Sequence, residues 1–105
     1  MQRGDIYELR VPKGVGHKQH GRRFGVIVQS NALLPRSVVL LAPTSTGARP
    51  ASIRPEIAVF GKTTRVLVEQ VGAVDVSRLG KQVGRVAVDL MWSIDESLAT
   101  VLGLD

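Results

Sequence analysis

Short β-branched and aliphatic runs, each cut off by glycine or proline, fill most of this chain and leave room for only one long helix. Residues 5–9 (D-I-Y-E-L) alternate polar and apolar side chains, the pattern of a half-buried strand. Residues 25–28 and 38–42 are continuous aliphatic runs and read as central strands, joined through 31–36 with Pro35. Pro12, Gly14, Gly16 and Gly21 make 11–21 a long loop, and 44–50 is a second, polar one. Further strands are expected at 52–59, edged by Pro55, at 65–74 and briefly at 82–86. The period then changes. Leu90, Met91, Ile94, Leu98, Val101 and Leu102 recur at helical spacing, with Asp95, Glu96 and Thr100 on the other face. Asp89 is the available cap or first-turn acid, and Gly103 a natural stop. The expectation is a mainly β fold with a C-terminal α-helix: a small, strongly bent sheet or open barrel.

At 105 residues the chain is expected to form one domain, 1–105, with a single modest core. Fourteen basic residues against nine acidic give a net charge of +5. The bias sits early: Arg3, Arg10, Lys13, Lys18, Arg22, Arg23 and Arg36 precede or reach position 36 beside only Asp5 and Glu8. Such an excess favours a polyanionic partner. With no cysteine there is no disulfide, thiol nucleophile or cysteine zinc site. No apolar run reaches the length of a membrane span, and M-Q-R-G-D lacks a signal-peptide core, so a cytoplasmic protein with no membrane partner is expected. Tyr7, Phe24, Phe60 and Trp92 are the only aromatics, too few to suggest a large base-stacking platform.

The densest chemistry lies in residues 16–31, G-H-K-Q-H-G-R-R-F-G-V-I-V-Q-S-N. Arg22 and Arg23 stand at the mouth of an expected buried strand, where a planar guanidinium fork can bind phosphate oxygens bidentately. Histidine is the residue type whose unperturbed pKa suits proton transfer, so His17 and His20 are acid/base candidates, or else solvated loop residues. H-x-x-H makes a weak metal motif, because no third ligand follows nearby. Lys13 and Lys18 suit nonspecific phosphate contacts. Trp92 lies between apolar positions and fits either core or an interface.

Taken together, several segments resemble the MazF/PemK family of toxin endoribonucleases. R-G-D-I-Y at 3–7 is similar to the family's first-strand R-G-D/E-I/V-W/Y. G-H-K-Q-H-G-R-R-F resembles its G-S-E-Q-x-G-x-R-P loop, with Gln19, Gly21 and Arg23 in register. G-V-I-V-Q-S-N follows the second strand, and V-V-L-L-A-P-T-S resembles V-x-x-A-P-x-T-S. V-L-V-E-Q-V-G-A-V-D-V-S-R-L at 66–79 resembles V-x-x-E-Q-I-x-x-I/V-D-x-x-R-L, and 94–104 resembles the last helix. Any one of these motifs would be weak; in order and at matching spacing they make the resemblance specific.

The resemblance implies an SH3-like small barrel, a homodimer, and metal-independent, sequence-selective cleavage of single-stranded RNA (mRNA, tRNA or rRNA) without a cofactor. It also implies a cognate antitoxin that neutralises the toxin. It carries a catalytic arginine onto Arg23 and a catalytic hydroxyl onto Thr44 or Ser45, with Thr46 a third candidate. Gly16, His17, Lys18, Gln19, His20, Arg22, Thr46, Glu69 and Gln70 become RNA contacts. Arg23 suits charge stabilisation and not general base catalysis, because guanidinium stays protonated; the base is unassigned. Two positions depart from the pattern: Lys18 replaces a frequent Glu, and Phe24 replaces the Pro after the arginine. A toxin of CcdB-like architecture that inhibits gyrase by protein binding, or a noncatalytic RNA-binding barrel, are the alternatives.

Overall fold

The computed structural model describes residues 1–10 and 23–105. Seven strands form one sheet among these residues: β1 (Asp5–Leu9), β2 (Arg23–Ile27), β3 (Val38–Ser45), β4 (Glu56–Val59), β5 (Lys62–Val66), β6 (Gly72–Asp75) and β7 (Leu79–Arg85). The order is β4-β5-β3-β2-β1-β7, all paired antiparallel, and β6 also pairs β3. A single helix, α1 (Val88–Leu102), follows. This is the expected mainly β architecture, a half-barrel with a C-terminal helix.

An apolar core lies on each side of the sheet, and strand alternation sorts the residues between them. Ile6, Val26, Ala42, Val66 and Val68 meet Met91 and Ile94 of α1 in one core. Ile27, Val39, Leu41 and Leu79 form a second core on the other side. Gly4 explains the R-G-D signature. Its φ of 94° is a conformation that side chains rarely adopt, and it joins two strands by donating to Ile27 O (2.7 Å) and accepting from Val86 N (2.8 Å). Arg3 beside it donates from Nε to Val28 O (2.8 Å) and pairs with Asp95 of α1, tying helix to sheet.

The expected strand at 65–74 is broken into β5, a 3-10 turn (Val68–Gln70) and β6. The cause is tertiary. One edge of β3 pairs first with β6 (Val38 to Leu41) and then with β5 (Thr44, Ser45), so the chain must step along that edge. Pro43, which has no N–H to give, occupies the changeover, and its carbonyl accepts from Leu67 N at 2.8 Å. The strand expected at 52–59 shrinks to β4, because residues 51–54 turn through an Arg54 N to Ala51 O bond before Pro55. Thr44 and Ser45, expected in a loop, end β3 instead.

In α1, Met91 and Ile94 are buried and Leu90, Leu98 and Val101 pack partly against the core. Leu102 is exposed, falling off the stripe, and Trp92 is 67% exposed and so is no core residue of this chain. Ser97, unnoticed in the apolar pattern, is buried with its hydroxyl on Ser93 O. Asp89 is a first-turn acid, while the cap position is Ala87 with no side-chain bond. Gly103 ends the helix at φ 71°, its N–H returned to Ala99 and Thr100 carbonyls.

Candidate functional site

Sheet pairing gathers charge at one end of the molecule. Leu9, the last residue of β1, pairs with Arg23 on one side and Leu79 on the other. Arg10 then donates its N–H to Arg78 O at 2.8 Å, and Arg78 Nε reaches back to Arg10 O at 3.4 Å. Arg10, Arg23 and Arg78 are all exposed there. They are distant in sequence, and of the three the sequence motifs gave a site role to Arg23 alone. Only the β1–β2 and β1–β7 registers reveal the other two.

Next to Arg23, the close approach of β2 to β3 depends on Gly25, where an added Cβ would lie 3.0 Å from a Leu41 methyl. Gly25 opposite Pro43 is the last ladder pair between these strands. Beyond it, Thr44 Oγ1 donates to Phe24 O at 3.3 Å, long for a hydroxyl bond. Thr44 is 3% exposed, whereas Ser45, its neighbour on the opposite face, is half-buried and pairs with Arg65 of β5. Thr46 is exposed in the following turn. Thr44 is therefore a hydroxyl anchored on the residue after Arg23, and Ser45 a more open one between β2 and β5.

Glu69 and Gln70 lie on the 3-10 turn, not in a strand. Gln70 is exposed. Glu69 accepts from Arg54 Nη2 (2.7 Å) and Nε (3.1 Å) through one oxygen, while its Oε1 is buried without a partner. Arg54 also donates to Arg49 O (3.1 Å), and Arg65 donates to Arg54 O (3.0 Å) while pairing with Glu56. Glu69 thus orders a basic turn. Hydrogen bonding to Arg54 holds its carboxyl below the ordinary glutamate range against the opposing effect of burial, which makes it a weak proton acceptor. A carboxyl acidified by folding adds stability above its unfolded pKa, about 4.3, and loses it as pH falls through the lower folded value. Urea unfolding from pH 6 to 3 is expected to show this acid-side loss, and Glu69→Gln to flatten it. An unchanged slope in that variant would contradict the assignment.

Gly16, His17, Lys18, Gln19, His20 and Arg22 lie outside the described residues, as does Lys13. Among the described residues no three His, Cys, Asp or Glu side chains group as metal ligands. No described helix is long and apolar enough to cross a membrane. The sparse aromatics, dismissed from composition, include one assembled pair: Phe24 and Phe60 meet edge to face at 6.0 Å and 65°. Nothing in the sequence pairs residues 24 and 60; the signal was the F-G dipeptide at a hairpin tip.

A half-barrel closed by one C-terminal helix is the architecture of the small MazF toxins. The chain matches the PemK-like, MazF-like toxin family of type II toxin–antitoxin systems over residues 2–102, and it belongs to that family. The toxin candidate Rv3098A of Mycobacterium tuberculosis is 40% identical over 104 residues, 97% of either chain. Among solved structures, the M. tuberculosis toxin MazF-mt6 superposes with TM-score 0.79 at 18% identity, covering 96% of this chain and 98% of its own. A mycobacterial endoribonuclease in complex with its cognate antitoxin gives TM-score 0.80 at 24% identity, covering 100% and 97%.

Proposed function

We propose that this member of the toxin family is a sequence-selective endoribonuclease that cuts single-stranded RNA without a metal and is neutralised by a cognate antitoxin. The observation that carries the reading is Arg23 exposed at the start of β2, with a hydroxyl anchored on the next residue and Arg10 and Arg78 alongside. Support for the partner comes from the related mycobacterial endoribonuclease solved with its antitoxin. Family resemblance adds a homodimer as the working form.

In the proposed reaction the ribose 2′-oxygen attacks the adjacent phosphorus, and its proton passes to a base. The P–O5′ bond breaks, leaving a 2′,3′-cyclic phosphate and a 5′-hydroxyl once the leaving oxygen is protonated. Arg23 neutralises the charge that builds on the phosphate oxygens, a task for a permanently cationic fork. Thr44 forms the floor: its long bond to Phe24 O is weak enough to be exchanged for a phosphate oxygen. Ser45 lines the more open side, and Arg10 and Arg78 contact flanking phosphates.

Incubation with single-stranded RNA in EDTA tests this directly. Cutting is expected to persist in the chelator and to vanish at a position carrying 2′-deoxyribose. Cleavage of the deoxy position would overturn the 2′-hydroxyl step, and RNA left intact would overturn the nuclease reading.

A further inference from the structure

We propose that Phe60, backed by Phe24, is a stacking site for one nucleobase next to the cleaved phosphate, and so a determinant of which RNA sequence is cut. The inference rests on the nuclease reading above and assigns that site a base-recognition element.

Four observations converge on the pair. Phe60 and Gly61 form the two-residue tip of the β4–β5 hairpin between the paired residues Val59 and Lys62, and both have positive φ, 53° and 74°. That type I′ geometry selects Asn, Asp or Gly, and an aromatic residue at its first position is conformationally costly. Strain of this kind is kept where the surrounding structure has a use for the side chain. Yet Phe60 is 62% exposed, so its apolar area is not used to fill the core. Its ring contacts Phe24 at 6.0 Å, and Phe24 is the residue after Arg23 and the one whose carbonyl holds the Thr44 hydroxyl. Finally, the pairing of Ser45 with Arg65 sends the β5 hairpin past the end of β3 where Arg23 lies.

Arg23 and Phe24 are the first two residues of β2 and point to opposite faces, so a nucleotide that bends round the strand end brings its phosphate to the cation and its base to the aromatic pair. A base is the part of RNA that offers a flat apolar face, and aromatic stacking is the interaction that captures it. Phe24 fixes the position of the hairpin tip, which makes the stacked base a fixed neighbour of the reacting phosphate.

Phe60→Asn separates this role from a structural one, because asparagine suits the turn and cannot stack comparably. Cut sites are first mapped by sequencing the ends of a random RNA pool, and kcat/KM is then measured on the preferred oligonucleotide. The expected result is a loss of roughly tenfold or more with little change in Tm, and retention of activity in Phe60→Tyr. An abasic nucleotide beside the cut should cost the wild type a similar factor and Phe60→Asn little further. In an uncleavable 2′-deoxy oligonucleotide, 2-aminopurine at the same position should be quenched by the wild type and by Phe60→Tyr but not by Phe60→Asn. Wild-type rate and base preference in Phe60→Asn would overturn the stacking site while leaving the nuclease reading intact. Lost antitoxin affinity with unchanged cleavage would also overturn it, marking Phe60 as a protein contact. A wild-type chain that neither cuts RNA nor quenches the probe would overturn both readings.

Discussion

Arg23→Ala is expected to lower kcat/KM on single-stranded RNA by about 100- to 1,000-fold, the range for removing one preorganised charge-stabilising group, without lowering Tm. Stability should hold because Arg23 is exposed and opens its strand, so truncating it empties no packed space. The loss should fall on the transition state, where the phosphate carries more charge than in the bound ground state. Single-turnover rates at saturating RNA would therefore drop with kcat/KM. Arg23→Lys should recover only part of the activity, since an ammonium keeps the charge but loses the bidentate fork. Thr44→Val, which removes the neighbouring hydroxyl at nearly constant volume, should lower the rate less. An Arg23→Ala protein cutting at the wild-type rate would remove the arginine from the mechanism.

Ile94→Ala should have the largest effect on the fold, costing about 3 kcal/mol. Ile94 is 0% exposed and joins α1 to the core formed with Ile6, Val26, Ala42 and Val66. Typical domains hold only about 5–15 kcal/mol in total, so this is a large share of the reserve. Thermal unfolding at fixed protein concentration should show Tm lowered by roughly 15 °C. Trp92→Ala, on the exposed side of the same helix, is the control and should do little to the isolated chain. A shift under a few degrees for Ile94→Ala would show that α1 docks through other contacts.

What could be seen in the sequence was local. β-branched runs located β1, β2 and β3, the change of period located α1, and Gly103 marked its end because a left-handed terminus favours glycine. The break at Val68–Gln70 was hidden, because it follows from two strands sharing one edge of β3. The site divided in the same way. A motif gave Arg23, Thr44 and Ser45, but only strand alternation and the bond to Phe24 tell the two hydroxyls apart. Arg78 lay in a matched motif and Arg10 in the early basic bias, but nothing local placed either beside Arg23, since their meeting depends on non-local pairing. Phe60 was missed because an aromatic in a glycine turn carries no periodicity at all.

Folding itself brings Arg10, Arg23 and Arg78 from far apart in the chain to one end of the sheet. In the unfolded chain those charges are scattered, whereas the folded sheet presents them together at one exposed end. A polyanion that binds the three arginines only once folding has assembled them would, by mass action, draw the folding equilibrium further toward the native state. Affinity for a polyanion and resistance to unfolding are then two readings of one linked equilibrium.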